Sequence, residues 1–579
     1  MSTPLAVLDA AAVRAWFEHA LRSLLLVRRQ VDRLNLFPVP DADTGTNLVL
    51  TLSGAAEAVG ELDPAADLAT LTRAAADGAL LGARGNSGVI VGQCLQALAE
   101  TFAGADEASP ALLARALTAA DAQARAAMVH PVEGTILTVA RAAAGAARAA
   151  ADDGDLAATV AAASRAARDA LAATGGAHGA ALDAGAAGYV VLLGALVDIV
   201  AGEGDTGTHR ADAVGALLAG LGAAAPDAAA ADPPARGRTS PDAAGGGSGT
   251  AVGTPLADAA VDTDDAAGDF EVMYLLRADA ARAAALRATL ARTGHSVAVV
   301  GAADATGAGV WQVHVHTDAP LTALAEPAVM DQVCVRYLRP LLTGLARPEH
   351  GHAPENPAAP AGSASPETPA TAADPAAPEV TAASAAITGV VACTRAPGLL
   401  EPLARTGAVV VLDPPADPAG LLRAAADTGA PHVLVLPCDE AAATTARAAA
   451  RAAEGRGAPH LGGRQEMTVA ATRNELHVLA AAVEVSGPGA PAAGALLPAL
   501  AEQAARRVRT VALDADAAVA RLAGELGPAD ELVTALLGAG ADDEVAEQLR
   551  ETVARVAPQV EVVVVRGGQS APAVLVGVE

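Results

Sequence analysis

The first 205 residues carry apolar side chains at helical spacing. In the opening segment these side chains recur every three or four positions, with arginine and glutamate between them, at Val13, Phe17, Ala20, Leu24, Val27, Val31 and Leu34. Alanine-rich patterns of the same period occupy 67–80, 88–103, 110–127 and 133–151, and Tyr189 to Val200 has the apolar character of a buried helix. This periodicity predicts an all-α region.

The pattern changes after residue 268. An apolar run at 270–276 (FEVMYLL) predicts a strand, followed by a helix at 279–292 and short strands at 296–300 and 309–316. From residue 386 onward, β-branched runs such as ITGVVAC and PHVLVLP alternate with helical patterns. Such alternation is typical of α/β units with parallel strands.

Two segments rich in Ala, Pro, Gly and Asp separate these regions, and neither can bury enough apolar surface to offset the entropy lost on ordering. We therefore expect a multidomain chain, an all-α domain followed by α/β middle and C-terminal domains. The predicted parts are a helical domain at 1–205, a mostly disordered linker at 206–268, a middle domain at 269–347, a Pro/Ala-rich linker at 348–385 and a C-terminal domain at 386–579.

The amino-acid composition excludes several kinds of active site. All 38 basic residues are arginine, which excludes a P-loop, a pyridoxal phosphate Schiff base and any lysine nucleophile. A net charge of −28 argues against non-specific binding to nucleic acid. The four cysteines are scattered, no apolar run is long enough to span a bilayer and no secretory signal is evident. We expect a cytoplasmic protein without a membrane span.

The strongest local motif is NLFPVPDADTGTNL at 35–48. Asp41 and Asp43 are alternate carboxylates on a loop stiffened by two prolines, and oxygen ligands of this kind bind Mg²⁺. The following Thr-Gly-Thr-Asn run begins a helix, where anions are favoured. A Pro-Asp turn that only caps the helix is an equally good interpretation.

Three further loops interrupt the helical region at LLGARGNSGVI (80–90), HPVEGTILTV (130–139) and LDAGAAGYVVLL (182–193). Glycines in such loops let backbone amides approach a phosphate. Each loop alone is also explained by ordinary helix caps. Their recurrence within one helical domain favours a shared site.

These four motifs, in this order, resemble the dihydroxyacetone-kinase L-type (DAK2) domain, and most closely the version in the large, ATP-binding component of bacterial fatty acid kinase. VWQVHVHTDAP at 310–320 is similar to the middle domain of that family, and the C-terminal segment ending in GVE is similar to its tail.

The resemblance implies ATP and two magnesium ions as cofactors. Asp41 and Asp43 would hold the metal ions and serve as the catalytic carboxylates, while Asn35 stands near an upstream acidic ligand of the dihydroxyacetone kinases. The residues that would contact phosphate, metal or nucleotide are Thr44, Thr46, Asn47, Gly85, Asn86, Ser87, Gly134, Thr135, Asp183 and Gly185. Arg84 is shared with the fatty acid kinase version, and either a phosphate contact or a surface position fits it.

The resemblance also implies a substrate brought by a partner. In the family, a DegV-type protein presents the fatty acid whose carboxylate is phosphorylated to acyl phosphate, and the kinase is expected to be a homodimer. The alternatives are an L-type subunit of glycerone (dihydroxyacetone) kinase, or a nucleotide-binding scaffold or sensor without turnover. The family's Gly-Gly-Gln-Thr stretch reads DPPADPAG here (413–420), which puts a partner contact there in doubt.

His314 and His316 alternate with valines, so both imidazoles project from one face of a strand. The family has a Cys/His cluster at this segment, and Glu271 stands near the position of its cysteine, with Cys334 as a more distant candidate. Two interpretations stay open: a Zn²⁺ site, or two polar residues on an exposed strand face, which the pattern alone favours.

Overall fold

The computed structural model describes residues 4–34, 43–177, 182–202, 268–303, 306–338, 388–455, 464–486 and 496–579. Two predicted ligands, Asn35 and Asp41, lie outside the described residues. Almost all of the two predicted linkers also lies outside them.

The N-terminal part is helical, as predicted. Its helices are α1 (Ala10–Leu34), α2 (Thr44–Gly60), α3 (Leu68–Gly82), α4 (Gly85–Phe102), α5 (Pro110–Ala127), α6 (Ile136–Ala150), α7 (Leu156–Ala177) and α8 (Ala184–Val200). Local capping sets several starts: the side chains of Asp67, Ser109 and Asp183 accept backbone N–H groups of the first turn. No helix in the described ranges combines the length and apolar character needed to cross a bilayer.

Each of these helices packs against its neighbours in the chain, and α8 packs back on α1, so the bundle closes into a ring. Their buried side chains form one apolar core that includes Leu24, Leu48, Leu98 and Tyr189. Short connections between successive helices make neighbours antiparallel. The N-termini of α2, α4, α6 and α8 therefore lie at the same end of the ring.

A mixed sheet of eight strands follows, in the order β2-β3-β1-β4-β6-β5-β7-β8. The strands are β1 (Phe270–Asp279), β2 (His295–Ala303), β3 (Ala308–Thr317), β4 (Met330–Tyr337), β5 (Thr388–Thr394), β6 (Val409–Leu412), β7 (His432–Leu436) and β8 (Glu466–Val469). The first four pair antiparallel, whereas β6, β5, β7 and β8 are parallel. Because β4 pairs with β6, strands on both sides of the second predicted linker share this sheet.

Helices cover this sheet, and their apolar faces join its core. They are α9 (Ala280–Thr293), α10 (Leu400–Arg405), α11 (Ala419–Asp427), α12 (Glu440–Gly455) and α13 (Glu475–Ser486).

Residues 496–579 form a second, smaller sheet in the order β11-β10-β12-β9. Its elements are α14 (Leu497–Arg507), β9 (Arg509–Leu513), α15 (Ala515–Glu525), β10 (Leu532–Leu537), α16 (Asp543–Val556), β11 (Glu561–Arg566) and β12 (Val574–Val578). The predicted fold class, a helical part followed by parts that combine sheets and helices, is confirmed. The exact domain boundaries stay a prediction.

The larger sheet packs on the helical ring next to the loop at 80–90. Met128 forms a backbone bridge with Ala298 of β2, and Arg287 donates to the carbonyl oxygen of Ala126 at 2.7 Å. An apolar cluster shared by the two parts includes Ala83, Val89 and Val300. This contact brings one sheet face to the end of the ring where the predicted motifs lie.

Candidate active site

One cleft collects the starts of four helices. It is lined by Asp43, Thr44 and Asn47 at α2, by Gly85, Asn86 and Ser87 at α4, by Thr135, Ile136 and Leu137 at α6 and by Asp183 and Gly185 at α8. The first N–H groups of a helix have no partner within the helix, and its N-terminal end carries a partial positive charge. Four such ends around one cleft favour a polyanion.

Asp43 precedes α2 and carries a carboxylate at the cleft. Its side chain makes no capping bond to the helix. Instead, Oδ1 accepts from Nδ2 of Asn47 at 2.7 Å, and Oδ2 accepts from Nη2 of Arg336 at 2.8 Å. For Asp43, the interpretation as a simple helix cap is therefore wrong. A carboxylate held in this way can also offer oxygen lone pairs to a divalent cation.

Asp32 of α1 is an acidic residue that the sequence analysis missed. Its two carboxylate oxygens accept from the backbone N–H of Thr46 at 2.9 Å and from the hydroxyl of Thr46 at 3.1 Å. Burial raises the pKa of Asp32 to about 6, against the opposing effect of these hydrogen bonds. Gly45 makes this close approach feasible, because a Cβ there would lie 2.4 Å from the carbonyl oxygen of Arg28.

Thr46 therefore bonds to α1 and is not among the residues that line the cleft. A bond to Asp32 accounts for its hydroxyl without a ligand. In the sequence, Asp32 looks like one of the surface charges on α1. The periodicity of apolar residues therefore gave no reason to select it as a site residue.

The loop at 85–87 is shaped by close packing. Gly85 has a φ of +56°, and a Cβ on it would lie 2.5 Å from Nδ2 of Asn47. A Cβ on Gly185 would lie 2.8 Å from the Ser87 hydroxyl oxygen. Oδ1 of Asn86 is buried and has no hydrogen-bond partner among the residues that the structure describes. Since an unpaired buried acceptor is costly, this atom fits a ligand that supplies a donor or a metal ion.

The remaining two loops act through helix caps. The Thr135 hydroxyl donates to the carbonyl oxygen of Val132 at 2.7 Å, and Oδ1 of Asp183 accepts from the N–H of Ala186 at 2.6 Å. Burial raises the pKa of Asp183 to about 6 against the effect of these backbone donors. Gly134, with a φ of +79°, shapes the turn before α6 but is not among the residues that line the cleft.

The sheet supplies the opposite wall. Glu271 of β1 pairs with His316 of β3 on one side and with Arg336 of β4 on the other, and both Glu271 and His316 line the cleft. Ligand atoms of Glu271, His314 and His316 lie within 4.8 Å of one another. The three residues are 1%, 0% and 2% exposed, so the interpretation as an exposed strand face is wrong.

His314 fits a metal ligand. Within the described part of the chain, neither of its ring nitrogens has a hydrogen-bond partner, and Oε1 of Glu271 lies 3.5 Å from its Nδ1. Burial, and then the charge of Arg336, lower the pKa of His314 to about 3, so the imidazole is neutral. Two histidines and one carboxylate are a donor set that binds zinc in catalytic sites. Cys334 lies outside this cluster, with its Sγ 3.8 Å from Oδ2 of Asp427.

Two buried arginines join the parts of the site. Nε of Arg336 donates to Oε2 of Glu271 at 2.6 Å while its Nη2 holds Asp43. Burial alone would lower the pKa of Arg336, but the carboxylates of Glu271, Asp43 and Asp427 raise it well above its usual value. Arg84 is only 7% exposed and pairs with Asp427 through Nε at 2.5 Å. A surface position therefore does not describe Arg84, and a phosphate contact of Arg84 stays a prediction.

Comparisons with known proteins agree with this architecture. The DAK2 domain model matches residues 38–198, the FakA-like (fatty acid kinase) middle-domain model matches 267–332, and the FakA-like C-terminal model matches 500–579. A segment of 123 residues is 43% identical to uncharacterized proteins of Staphylococcus aureus strains USA300, COL and N315. That segment covers 21% of this chain and 22% of each relative. With one matched domain in the helical part and two in the sheet-containing parts, the chain is a DAK2-domain protein that resembles the FakA-like component of fatty acid kinase.

Proposed function

We propose that this protein is an ATP- and magnesium-dependent kinase that phosphorylates the carboxylate of a fatty acid and yields an acyl phosphate. The observation that supports the proposal most strongly is the convergence of four helix N-termini on one cleft that also holds Asp43 and the unpaired Oδ1 of Asn86. Backbone N–H groups would bind the phosphates, and Asp43, with Asp41, would hold the metal. Bound magnesium would neutralise charge on the phosphates.

The cleft suits an acceptor that is already ionised. Carboxyl groups have pKa values near ~4–5, so a fatty acid needs no general base at neutral pH. The principal barrier is repulsion between two anions, and the contribution of the chain is to hold both in line with a cation nearby. The partial positive charge at the helix N-termini reduces the repulsion between the two anions, and no group has to change its protonation state.

The acyl chain needs a carrier, and we propose a DegV-type protein for this role. The match to the FakA-like middle and C-terminal models supports this choice. A homodimer in the cytoplasm belongs to the same proposal.

The test is ADP formation by the full chain with ATP, Mg²⁺ and a DegV-type protein loaded with palmitate. We expect turnover that depends on the loaded carrier and the appearance of acyl phosphate, trapped as the hydroxamate. Turnover with the lipid-free carrier at the same rate would contradict the proposed acceptor. Mg²⁺-dependent ATP binding without turnover on any loaded carrier would favour the scaffold or sensor instead.

A glycerone kinase L-type subunit is the second candidate. A hydroxyl acceptor benefits from a base, and His130 and His316 both line the cleft. Formation of dihydroxyacetone phosphate, with no dependence on a lipid carrier, would support this candidate over the fatty acid kinase.

We also propose that Glu271, His314 and His316 hold a zinc ion. The donor set, its burial and the unpaired nitrogens of His314 support this. When bound, the ion would supply positive charge beside the cleft, since two of its ligands are also cleft residues.

A further inference from the structure

Asp427 is the point where the C-terminal part reaches the candidate active site. It is the last residue of α11, and its side chain is 2% exposed. Its Oδ1 accepts from Nε of Arg84 at 2.5 Å, and its backbone carbonyl lies 3.4 Å from Nη1 of Arg336. One residue of the C-terminal part therefore contacts an arginine from each of the other two parts.

Arg84 links Asp427 to the loop that carries the unpaired acceptor. It is the residue before α4, directly followed by Gly85, Asn86 and Ser87. Its Nη1 donates to the carbonyl oxygen of Ala83 at 2.8 Å, so the guanidinium also fixes the backbone that enters the loop. A movement of this side chain would shift the first N–H groups of α4.

Arg336 links Asp427 to the carboxylate on the other side of the cleft. Its Nη2 donates to Asp43, its Nε to Glu271, and its Nη1 faces Asp427. These bonds use all three nitrogens of one planar guanidinium, which fixes its orientation more strictly than a lysine ammonium could.

We propose that Asp427 is a positioning residue of the nucleotide site, its carboxylate acting through Arg84 on the loop at 85–87, while its backbone carbonyl faces the arginine that holds Asp43. This inference rests on the proposed function, because it assumes that the cleft binds Mg·ATP. The inference goes beyond the proposed function, because it requires the C-terminal part to be docked for the nucleotide site to be correctly formed.

The experiment compares the full-length wild type with D427N, R84Q and the double variant D427N/R84Q. Titration calorimetry with ATP and MgCl₂ gives the dissociation constant, and calorimetric unfolding gives the Tm. We expect D427N to weaken Mg·ATP binding by about tenfold or more and to lower the Tm, since it leaves a buried guanidinium without its counter-charge.

The double variant separates positioning from stability. Removing both members of a buried ion pair costs much less stability than removing one. We therefore expect D427N/R84Q to regain most of the Tm while Mg·ATP binding remains about tenfold weak, because the loop is no longer held. Should D427N fail to fold, R84Q provides the same test, since it removes the other member of the same ion pair.

Recovery of both Tm and Mg·ATP affinity in the double variant would make the pair merely structural and overturn the proposal. The matched control is the exposed pair Arg507–Glu484, at 2.5 Å, where R507Q/E484Q should leave Mg·ATP binding unchanged. Absence of Mg·ATP binding by the wild type would overturn the proposed function and this inference with it. Equal binding by wild type and all three variants would overturn this inference alone.

Discussion

Polar side chains gather both at the helix N-termini of the cleft and at the carboxyl ends of the parallel strands, but the two clusters are bonded differently. At the strand ends, Nε of Arg395 donates to Asp439 at 2.5 Å. There Glu475 accepts from the Thr394 hydroxyl at 2.6 Å and from the N–H of Arg395 at 2.7 Å. In the cleft, by contrast, Oδ1 of Asn86 has no hydrogen-bond partner among the described residues, and neither ring nitrogen of His314, which clusters with the cleft residues Glu271 and His316, has one there.

Carboxyl ends of parallel strands are a common place for ligands in α/β proteins. Here that position is occupied by bonds within the chain, which a ligand would have to replace. The cleft contains buried polar atoms, and the desolvation cost of leaving them unpaired is relieved when a ligand bonds to them. The contrast supports the proposal that the cleft binds the ligand, while the strand-end cluster stabilises the fold.

The sharpest test of this contrast exchanges one carboxylate in each cluster. We expect Asp43→Asn to reduce carrier-dependent ADP formation by about 100-fold or more, because a lost metal ligand forfeits several kcal/mol of charge stabilisation. Asp439→Asn should leave the rate within about twofold, since the Asp439 carboxylate accepts from Arg395 and from the N–H of Ala442, neither of which lines the cleft. Equal rates for wild type and D43N, or an equally slow D439N, would contradict the assignment.

The second test concerns metal content. We expect the full chain, purified without chelators, to carry zinc, and His314→Ala to lose it, because two ligands bind zinc far more weakly than three. His432 is a matched control, being an exposed histidine beside a glutamate, with Nδ1 3.3 Å from Glu466. Mass spectrometry of metals in H314A and H432A makes the comparison. Retention of zinc by H314A would exclude the proposed ligands.

The third test compares an unpaired group with a paired one. Asn86→Ala should weaken Mg·ATP binding by about tenfold and leave the Tm unchanged, since a hydrogen bond to a charged ligand is worth about 1.5–3 kcal/mol and no bond within the chain is lost. Thr394→Val should lower the Tm and leave Mg·ATP binding unchanged, because it removes the donor to Oε2 of Glu475. Calorimetric binding and unfolding on both variants give the two quantities. A lower Tm for N86A with normal ATP affinity would reverse the roles of the clusters.

The sequence was sufficient for most helices of the N-terminal part and for the loops around the cleft, but not for α7 or for the closure of the helices into a ring. Spacings of three and four predicted the helices because each helix buries one face in a common core. The loops stood out because Gly85 needs a positive φ and because Gly185 faces a side chain with no room for a Cβ. These are local requirements, and a single sequence records them.

Long-range partners could not be predicted in the same way. Arg84 and Asp427 are 343 positions apart, and Asp43 and Arg336 are 293 apart. Strand β4, which carries Arg336, was missed because its polar residues interrupt the apolar alternation. The burial of His314 and His316 was missed for a related reason: the face they occupy is covered by the helical ring, which no feature of the strand itself encodes.

The last test concerns a pH dependence of stability at the strand ends. Burial raises the pKa of Glu475 from 4.5 to about 7, against the lowering by its donors Thr394 and Arg395. A raised carboxyl pKa means that the folded protein holds this proton more tightly than the unfolded chain. Its contribution to stability is therefore complete below about pH 4.5 and is lost as the pH rises through about 7.

Glu475→Gln removes this titration while keeping the size and an acceptor oxygen of the side chain. We expect the free energy of unfolding of wild type, relative to E475Q, to fall by roughly 3 kcal/mol between pH 4.5 and pH 8 in urea titrations. Asp32 and Asp183, whose pKa values burial also raises to about 6, lower the stability of both proteins over this range and cancel in the difference. The groups around Glu475 are the same in both proteins: Asp439, Arg395, Cys393 and Cys438. They change the difference in unfolding free energy only through their interaction with the charge of Glu475. Parallel pH curves would mean that folding does not raise the pKa of Glu475, and the strand-end cluster would then carry a buried charge at neutral pH as the cleft does.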